Sequence, residues 1–398
     1  MKAVIGKLSR FWERFKEENP NLQVSIPVVG GLSTNIPLSE KGKMKSVRSG
    51  FDSNDKKSPF VQMDTEALIK YYSEYEAGKE YKFCRSPYAE SVPLNINGKG
   101  FSYGKNVNDL QLVVISAKYT PPDHLIPHYQ KSLELFKKIG KVIRDPETRN
   151  WENNKSVRIS KFDLKDNVIC IQPATYFDQI GTNLTMDWSS GFLSDDSTAT
   201  IRNDIEKHDK NALPPLNSSI LANTLGVAVV VLNPETKEVL IPIRGSEQAI
   251  MANGEGKFHC SASGVFEWLD VNKKGELGFD FFMQGMEKEI KSEIGLDREL
   301  YELIPLTFSR ELVRGGKPQL FFVAETNMDI STIKNEMKGA EESWEFIDES
   351  DLPEGSQLRG YIENPLEAPQ NMFTYEGWMA MKIALAYMYD IEPPFLTC

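Results

Sequence analysis

The feature that most constrains the fold is an uninterrupted apolar run near the middle of the chain. The seven residues from Gly226 to Leu232 read GVAVVVL and include no polar side chain. A short run rich in β-branched apolar residues is typical of a buried strand. A turn over Asn233–Glu238 and a second apolar segment, Val239–Arg244, follow directly. The sequence therefore predicts a β-hairpin here.

After the hairpin, predicted strands and helices alternate. A loop with several glycines spans residues 252–264, and apolar residues then recur with helical spacing from Phe279 to Ile294. Further along, the pattern predicts two strands and a final helix, which are Leu320–Glu325, Trp344–Ile347 and residues 375–389. This alternation favours an α/β sandwich.

Weaker patterns in the first half of the chain predict an α+β region. Leu110–Ala117 and Val168–Phe177 are apolar runs of strand length, and residues 133–143 show helical spacing between them. Residues 189–220 are mostly polar and contain consecutive prolines, which is typical of a connector. We therefore expect four segments, which are an N-terminal extension (1–60), an α+β domain (61–190), a linker (191–220) and a C-terminal α/β domain (221–398).

The charge balance argues against one large class of partner. The 398 residues include 46 Lys and Arg against 57 Asp and Glu, a formal net charge of −11. A chain this acidic is a poor general binder of phosphate backbones, so we do not expect a nucleic-acid partner. Residues 1–50 are locally basic, which fits a solvated loop or a nucleic-acid arm. The lack of aromatic or Arg spacing in that segment favours the loop.

Signals for membranes and for oxidising compartments are weak in this sequence. No stretch approaches the ~18 apolar residues of a membrane span, and Met1–Pro20 lacks the continuous apolar core of a secretory peptide. The four cysteines lie far apart without a C-x-x-C pair, which argues against a disulfide scaffold or a cysteine zinc site. We expect a cytoplasmic protein with no membrane partner.

The predicted helix over residues 279–294 carries the clearest chemical signal. Its apolar residues form one stripe, and Glu289 and Glu293, four residues apart, lie side by side on a neighbouring strip of its surface. Two carboxylates at this spacing repel each other. Such a pair is typical of a solvated helix face, but a divalent cation such as Mg²⁺ would also offset the repulsion. Gly295 follows the stripe and predicts a left-handed C-terminal cap.

The sequence around these carboxylates resembles a known family. Residues 288–296, KEIKSEIGL, are similar to the second half of the Nudix box, R-E-U-x-E-E-x-G-U, in which U is aliphatic. Residues 261–267, SASGVFE, resemble its opening glycine segment. The resemblance covers residues 222–392 and implies a Nudix-like α-β-α sandwich with a mixed sheet, preceded by the α+β domain.

The resemblance also implies an activity. In the Nudix family a glutamate-bearing helix holds Mg²⁺ against a diphosphate, and water cleaves a nucleoside diphosphate linked to another group. A cation is needed because the dense phosphate charge must be neutralised and the attacked phosphorus polarised. We therefore expect a hydrolase that uses Mg²⁺ or Mn²⁺ and acts on a small-molecule nucleotide derivative. A homodimer is a further expectation at the level of the family.

Individual residues receive roles from the same resemblance. Glu289, Glu293 and Lys288 take the catalytic positions, and Lys288 stands where the family has an Arg that orients the carboxylates through an ion pair. The metal ligands implied are Glu289, Glu293, the carbonyl of Ser263 and, from outside the helix, Glu325. For Glu325, a surface charge at a strand end is the alternative.

Substrate contacts fall on residues before the helix. Arg244, at the end of the predicted hairpin, is expected to meet a phosphate group, and Gly264 and Glu267 lie in the glycine segment. An exposed charge at a strand end is the alternative for Arg244.

Two departures from the family pattern keep a second interpretation open. Ser292 replaces a glutamate that is commonly a direct metal ligand, and the chain between Glu267 and Glu289 is longer than in the usual box. A serine hydroxyl can hold a metal-bound water but cannot supply the missing charge. The alternative is a nucleotide-binding or sensing module that is catalytically weak or inactive.

Overall fold

The structure, a computed structural model, describes residues 88–138, 142–145, 148–188, 200–202, 215–243, 258–268, 277–337, 345–346 and 373–390. The strands in these residues are β1 (Tyr88–Ile96), β2 (Lys99–Gly100), β3 (Lys105–Asn106), β4 (Gln111–Val114), β5 (Lys155–Asp163), β6 (Val168–Thr175), β7 (Gly226–Asn233), β8 (Glu238–Val239), β9 (Pro242–Ile243), β10 (Ala262–Val265), β11 (Glu302–Glu311), β12 (Lys317–Glu325) and β13 (Glu345–Phe346). The α-helices are α1 (Ile126–Lys138), α2 (Tyr176–Ile180), α3 (Asp280–Glu289), α4 (Ile330–Met337) and α5 (Tyr375–Met388).

The apolar run found in the sequence forms β7, and every residue of β7 is buried. This strand lies inside a mixed sheet with the order β10-β7-β12-β11-β1-β2. It runs parallel to β12 and antiparallel to β10. The predicted buried strand is confirmed, and strands and helices combine in an α/β fold with mixed sheets.

The predicted hairpin is only partly formed. Its second strand is divided into β8, which pairs with β7, and β9, which pairs with β13. Pro242 at the start of β9 has no N–H to donate, so a continuous ladder with β7 cannot pass through it. Arg244, predicted at the end of this strand, lies outside the described residues.

Helices cover both faces of the main sheet. Neighbouring residues of a strand point to opposite faces. Leu320 of β12 belongs to the same apolar core as Phe282 of α3, whereas the side chain of Gln319 hydrogen-bonds Glu376 of α5. Helices α3 and α5 therefore lie on opposite faces. No helix in the described part of the chain is long and apolar enough to cross a bilayer.

A second sheet, with the order β4-β6-β5, shares the core on the α3 side. The amide of Val157 in β5 donates to the Phe266 carbonyl at 2.9 Å, and the amide of Leu225 donates to the Val157 carbonyl at 2.8 Å. β1, which precedes this second sheet in the chain, pairs with β11 in the main sheet. All described residues belong to one compact unit, which includes parts of both the predicted α+β domain and the predicted C-terminal domain.

The helix predicted over residues 279–294 is confirmed, with a change of winding near its end. α3 ends at Glu289, and the next five residues, Ile290–Ile294, form a π-helical turn. Gly295 then adopts φ 83°, the left-handed cap that the sequence predicted. The final helix is also confirmed as α5, and its N-cap Thr374 accepts a hydrogen bond from the N–H of Gly377 at 2.9 Å.

A buried ion pair joins segments that are distant in sequence. The guanidinium of Arg202, which is 1 % exposed, binds both carboxylate oxygens of Asp187 at 2.5 and 2.7 Å. It also donates to the carbonyls of Leu312 and Val313 at 3.0 and 3.2 Å. Among the described residues, one carboxylate matches the charge and two backbone oxygens accept from the same guanidinium.

Candidate functional site

The end of the α3 helix faces the outer edge of β10. This strand is the last in the sheet order and, among the described residues, pairs only with β7. On its other side the N–H of Ser263 donates a hydrogen bond to Oε2 of Glu293 at 3.0 Å. Because a strand residue points its N–H and C=O to the same side, the Ser263 carbonyl also faces this helix end.

Glu289 meets the next residue of the same strand. A Cβ placed on Gly264 would lie 2.7 Å from Cδ and 2.8 Å from Oε1 of Glu289. These distances are well inside van der Waals contact, so the glycine provides the space that the carboxylate occupies. Neighbouring residues of β10 therefore each contact one of the two predicted carboxylates.

The helix turn between the two glutamates is locally widened. Glu289 is the last α-helical residue of α3, and Glu293 lies in the π-helical turn that follows. Single π turns inside helices occur frequently at functional sites. Here the widened turn places both carboxylates against one strand.

Lys288 pairs with Glu267 beside this contact. Its ammonium forms a salt bridge with the Glu267 carboxylate, although both side chains are substantially exposed. We call Ser263, Gly264, Glu267, Lys288, Glu289 and Glu293 the carboxylate site. It holds three carboxylates and one ammonium group. The lysine was expected to orient the helix carboxylates, and its direct partner is instead Glu267.

Burial and excess negative charge act together on Glu289. The pKa of Glu289 is raised from 4.5 to about 7, first by burial and then by the charge of Glu267, and Lys288 partly opposes both. A carboxylate withdrawn from water in this way is costly to ionise unless a cation is nearby. Strongly raised carboxyl pKa values are common at functional sites.

Glu325 does not join the carboxylate site. On β7, Ser263 is opposite Ala228, whereas Glu325 is opposite Leu232. Those two β7 positions are four residues apart, a separation of about 13 Å along the strand. Glu325 instead accepts a hydrogen bond from the hydroxyl of Tyr387.

Ser292 also contributes nothing to the carboxylate site through its side chain. Its hydroxyl donates to the backbone carbonyl of Glu289 at 3.1 Å, and the residue is exposed. The serine at the position where the Nudix box has a further glutamate is thus hydrogen-bonded within its own helix.

Two residues next to the site received no role from the sequence. The Nε2 of His259 is 2.9 Å from Oγ of Ser263, and its Nδ1 is 2.6 Å from Oγ1 of Thr374. His259 is buried, with 6 % of its surface exposed. Thr374 is 115 residues away in sequence, so no local pattern links the pair. The only available signal was that Thr374 precedes a predicted helix, where threonine is a favoured N-cap.

The oxygen donors of the site fit a hard divalent cation. Mg²⁺ usually binds proteins through one or two carboxylates and keeps waters or substrate phosphates as its other ligands. Glu289, Glu293 and the Ser263 carbonyl offer donors of this kind. Among the described residues no three His, Cys, Asp or Glu side chains group so as to hold a metal. The described residues therefore supply only part of the coordination shell of a cation bound here.

Comparisons with known proteins identify no family for this chain. The chain matches no protein-family model, and no curated protein matches it.

Proposed function

We propose that this chain is a Nudix-type hydrolase that cleaves a phosphoanhydride bond in a nucleoside diphosphate linked to another moiety, with Mg²⁺ or Mn²⁺. The mixed sheet with a helix on each face is compatible with the α-β-α sandwich of that family. The similarity of residues 261–267 and 288–296 to the two halves of the Nudix box supports the same function.

One observation carries the proposal. Glu289 and Glu293 approach neighbouring residues of one strand edge, through the space at Gly264 and the amide of Ser263. The two segments that resemble the box are separated in sequence, yet these contacts bring their carboxylates and glycine together. An unrelated surface pair of glutamates has no reason to contact the glycine segment.

The chemistry follows from the charges of the site. A bound divalent cation supplies the positive charge that neutralises a diphosphate and polarises the attacked phosphorus. Glu289 and Glu293 would hold that cation together with the Ser263 carbonyl. Lys288, through its pair with Glu267, keeps one ammonium beside three carboxylates and so lowers the pKa of Glu289. Glu289 must be ionised to act as a ligand, and this contact favours the ionised form.

The decisive experiment is product analysis with a matched variant. The full chain is incubated with nucleoside triphosphates, dinucleotides, nucleotide sugars and ADP-ribose, with Mg²⁺ or Mn²⁺, and the products are separated by chromatography. We expect cleavage of at least one compound and a loss of about 100- to 1000-fold in Glu293→Gln. Glu299→Gln, which changes an exposed carboxylate after the helix, should retain full turnover. Equal activity in Glu293→Gln and the native chain would contradict the proposal.

A specific observation favours a second candidate. The Ser292 hydroxyl is bonded to its own helix, and the third carboxylate of the site, Glu267, is paired with Lys288. A nucleotide-binding or sensing module with little turnover needs less charge than a hydrolase. Calorimetry with the same compounds would detect it as metal-dependent binding without products, weakened in Glu293→Gln.

A further inference from the structure

His259 connects the carboxylate site to the start of α5. Its imidazole lies between two hydroxyl groups, Ser263 Oγ at 2.9 Å from Nε2 and Thr374 Oγ1 at 2.6 Å from Nδ1. The amide of Ser263 in turn donates to Glu293 at 3.0 Å. His259 and the two ends of Ser263, its side chain and its amide, therefore link the N-cap of α5 to the Glu293 carboxylate.

The imidazole satisfies both hydroxyls without needing a charge. A neutral histidine has one donor and one acceptor nitrogen, and a hydroxyl can donate or accept. Either tautomer therefore completes both bonds. Since His259 is almost fully buried, these bonds are shielded from water and hold their geometry more firmly than exposed ones.

The backbone around His259 is also tightly held. Its amide donates to the Pro242 carbonyl at 2.9 Å, and the amide of Thr374 donates to the Phe258 carbonyl at 2.9 Å. A Cβ on Gly377 would lie 2.7 Å from Cα of His259, so the first turn of α5 packs directly on this residue. The imidazole is thus fixed from the helix side, and Ser263 of β10 is the residue that it binds on the strand side.

Ser263 connects His259 to the carboxylate site. Its N–H and C=O face the end of α3, and its side chain is the group that His259 binds. Rotation of this one residue would move the donor to Glu293 and the carbonyl together. Misplacement of a ligand by about 1 Å can cost 100-fold in rate.

We propose that His259, anchored by Thr374, is a positioning residue that orients Ser263 so that its amide and carbonyl face the two helix carboxylates. This inference rests on the proposed function, because the oriented groups matter only if the site holds a cation. His259 itself touches neither cation nor substrate in this role.

The test measures Mn²⁺ affinity of the full chain by electron paramagnetic resonance of unbound Mn²⁺, with kcat and KM measured alongside. Removal of a group that orients a ligand typically weakens metal binding 10- to 100-fold. We expect about a tenfold loss in His259→Phe and a similar loss in Ser263→Ala. The double variant should lose no more than either single one, because both changes remove the same contact. His128→Phe removes a half-buried histidine that is also bonded to a hydroxyl and should leave Mn²⁺ affinity unchanged.

Two substitutions of Thr374, the residue that anchors His259, make the test more specific. Thr374→Ser keeps the hydroxyl and should retain native affinity, whereas Thr374→Val should lose about tenfold. A multiplicative loss in the double variant, or equal affinities in the two Thr374 variants, would overturn the positioning role. Ser263→Ala and the Thr374 variants decide the question even if His259→Phe does not fold.

The failure of this inference is distinguishable from failure of the proposed function. If Glu293→Gln binds Mn²⁺ as tightly as the native chain, both are wrong. If Glu293→Gln loses Mn²⁺ binding while His259→Phe and Ser263→Ala retain it, the carboxylate site stands and only the positioning role is wrong.

Discussion

Two groups of charged side chains lie partly or wholly out of water in this molecule, and they are balanced differently. The Arg202–Asp187 pair joins one guanidinium to one carboxylate and uses backbone carbonyls for its remaining donors. The described residues of the carboxylate site carry three carboxylates and one exposed ammonium, and the pKa of Glu289 is raised to about 7, mainly by burial. Among the described residues, the first group joins one positive to one negative charge, whereas in the second the carboxylates outnumber the ammonium group. A folded chain tolerates such an imbalance most readily where a cation binds.

The largest effect is expected from breaking the balanced pair. Arg202→Met leaves Asp187 and two backbone carbonyls without their partner, so the free energy of unfolding should fall by about 3–5 kcal/mol. Urea denaturation monitored by circular dichroism measures this loss. Lys131→Met, on the exposed face of α1, should stay within about 0.5 kcal/mol of the native chain. A loss below about 1 kcal/mol in Arg202→Met would show that the pair does not hold the fold.

The opposite sign is expected at the unbalanced site. Native Glu289 keeps its proton up to about pH 7 when folded but releases it near pH 4.5 when unfolded, so its ionisation disfavours folding increasingly as the pH rises between those values. In the presence of a chelator, Glu289→Gln should therefore stabilise the chain by about 1–3 kcal/mol at pH 8. The gain should shrink below about 1 kcal/mol at pH 5. Thermal unfolding at both pH values tests this, and a destabilised variant at pH 8 would contradict the imbalance.

A smaller effect should follow from filling the space at Gly264. In Gly264→Ala the new methyl group displaces the Glu289 carboxylate, whose flexible side chain can move away. We expect Mn²⁺ affinity to fall about tenfold, with less than about 1 kcal/mol change in the free energy of unfolding. Gly278→Ala is the matched control, since a Cβ there meets no atom within 4 Å. Unchanged Mn²⁺ affinity in Gly264→Ala would show that this glycine does not contribute to the cation site.

The smallest effects concern the exposed Lys288–Glu267 pair. An exposed ion pair contributes about 1 kcal/mol at most to stability, but its two charges act on Glu289 in opposite directions. Lys288→Met should raise the pKa of Glu289 further, and Glu267→Gln should lower it. Carbon-13 NMR titration of the Glu289 carboxyl group distinguishes these shifts. Shifts of the same sign in both variants would refute the electrostatic description of the site.

Local patterns were sufficient for the elements that contain one clear periodicity. The apolar run of β7, the stripe of α3 and the glycine cap after it appear as predicted, because each depends on neighbouring residues alone. β11 was missed because Pro305 and a shift of register between Pro305 and Thr307 interrupt its alternation. The second hairpin strand is shorter than predicted because Pro242 has no N–H with which to continue the pairing.

The candidate site was predictable only in part, because only some of its contacts follow from local sequence patterns. Glu289, Glu293 and the glycine segment carry a sequence pattern, so their proximity followed from the resemblance and the helix spacing. The distance of Glu325 from them depends on strand register, which one strand by itself does not specify. The bond between His259 and Thr374 joins residues from either side of a long chain segment and has no local signature.

The sequence by itself determined the apolar strand, the helix with its paired glutamates and the glycine that ends it, because short-range sterics and hydrophobic periodicity fix such features. Only the tertiary structure decided that Ser263 and Gly264 face those glutamates, that Lys288 pairs with Glu267, and that a buried histidine links the site to the last helix. These contacts arise when distant segments pack together. The resulting loss of water, and not the residue types alone, then sets the charge balance of the site.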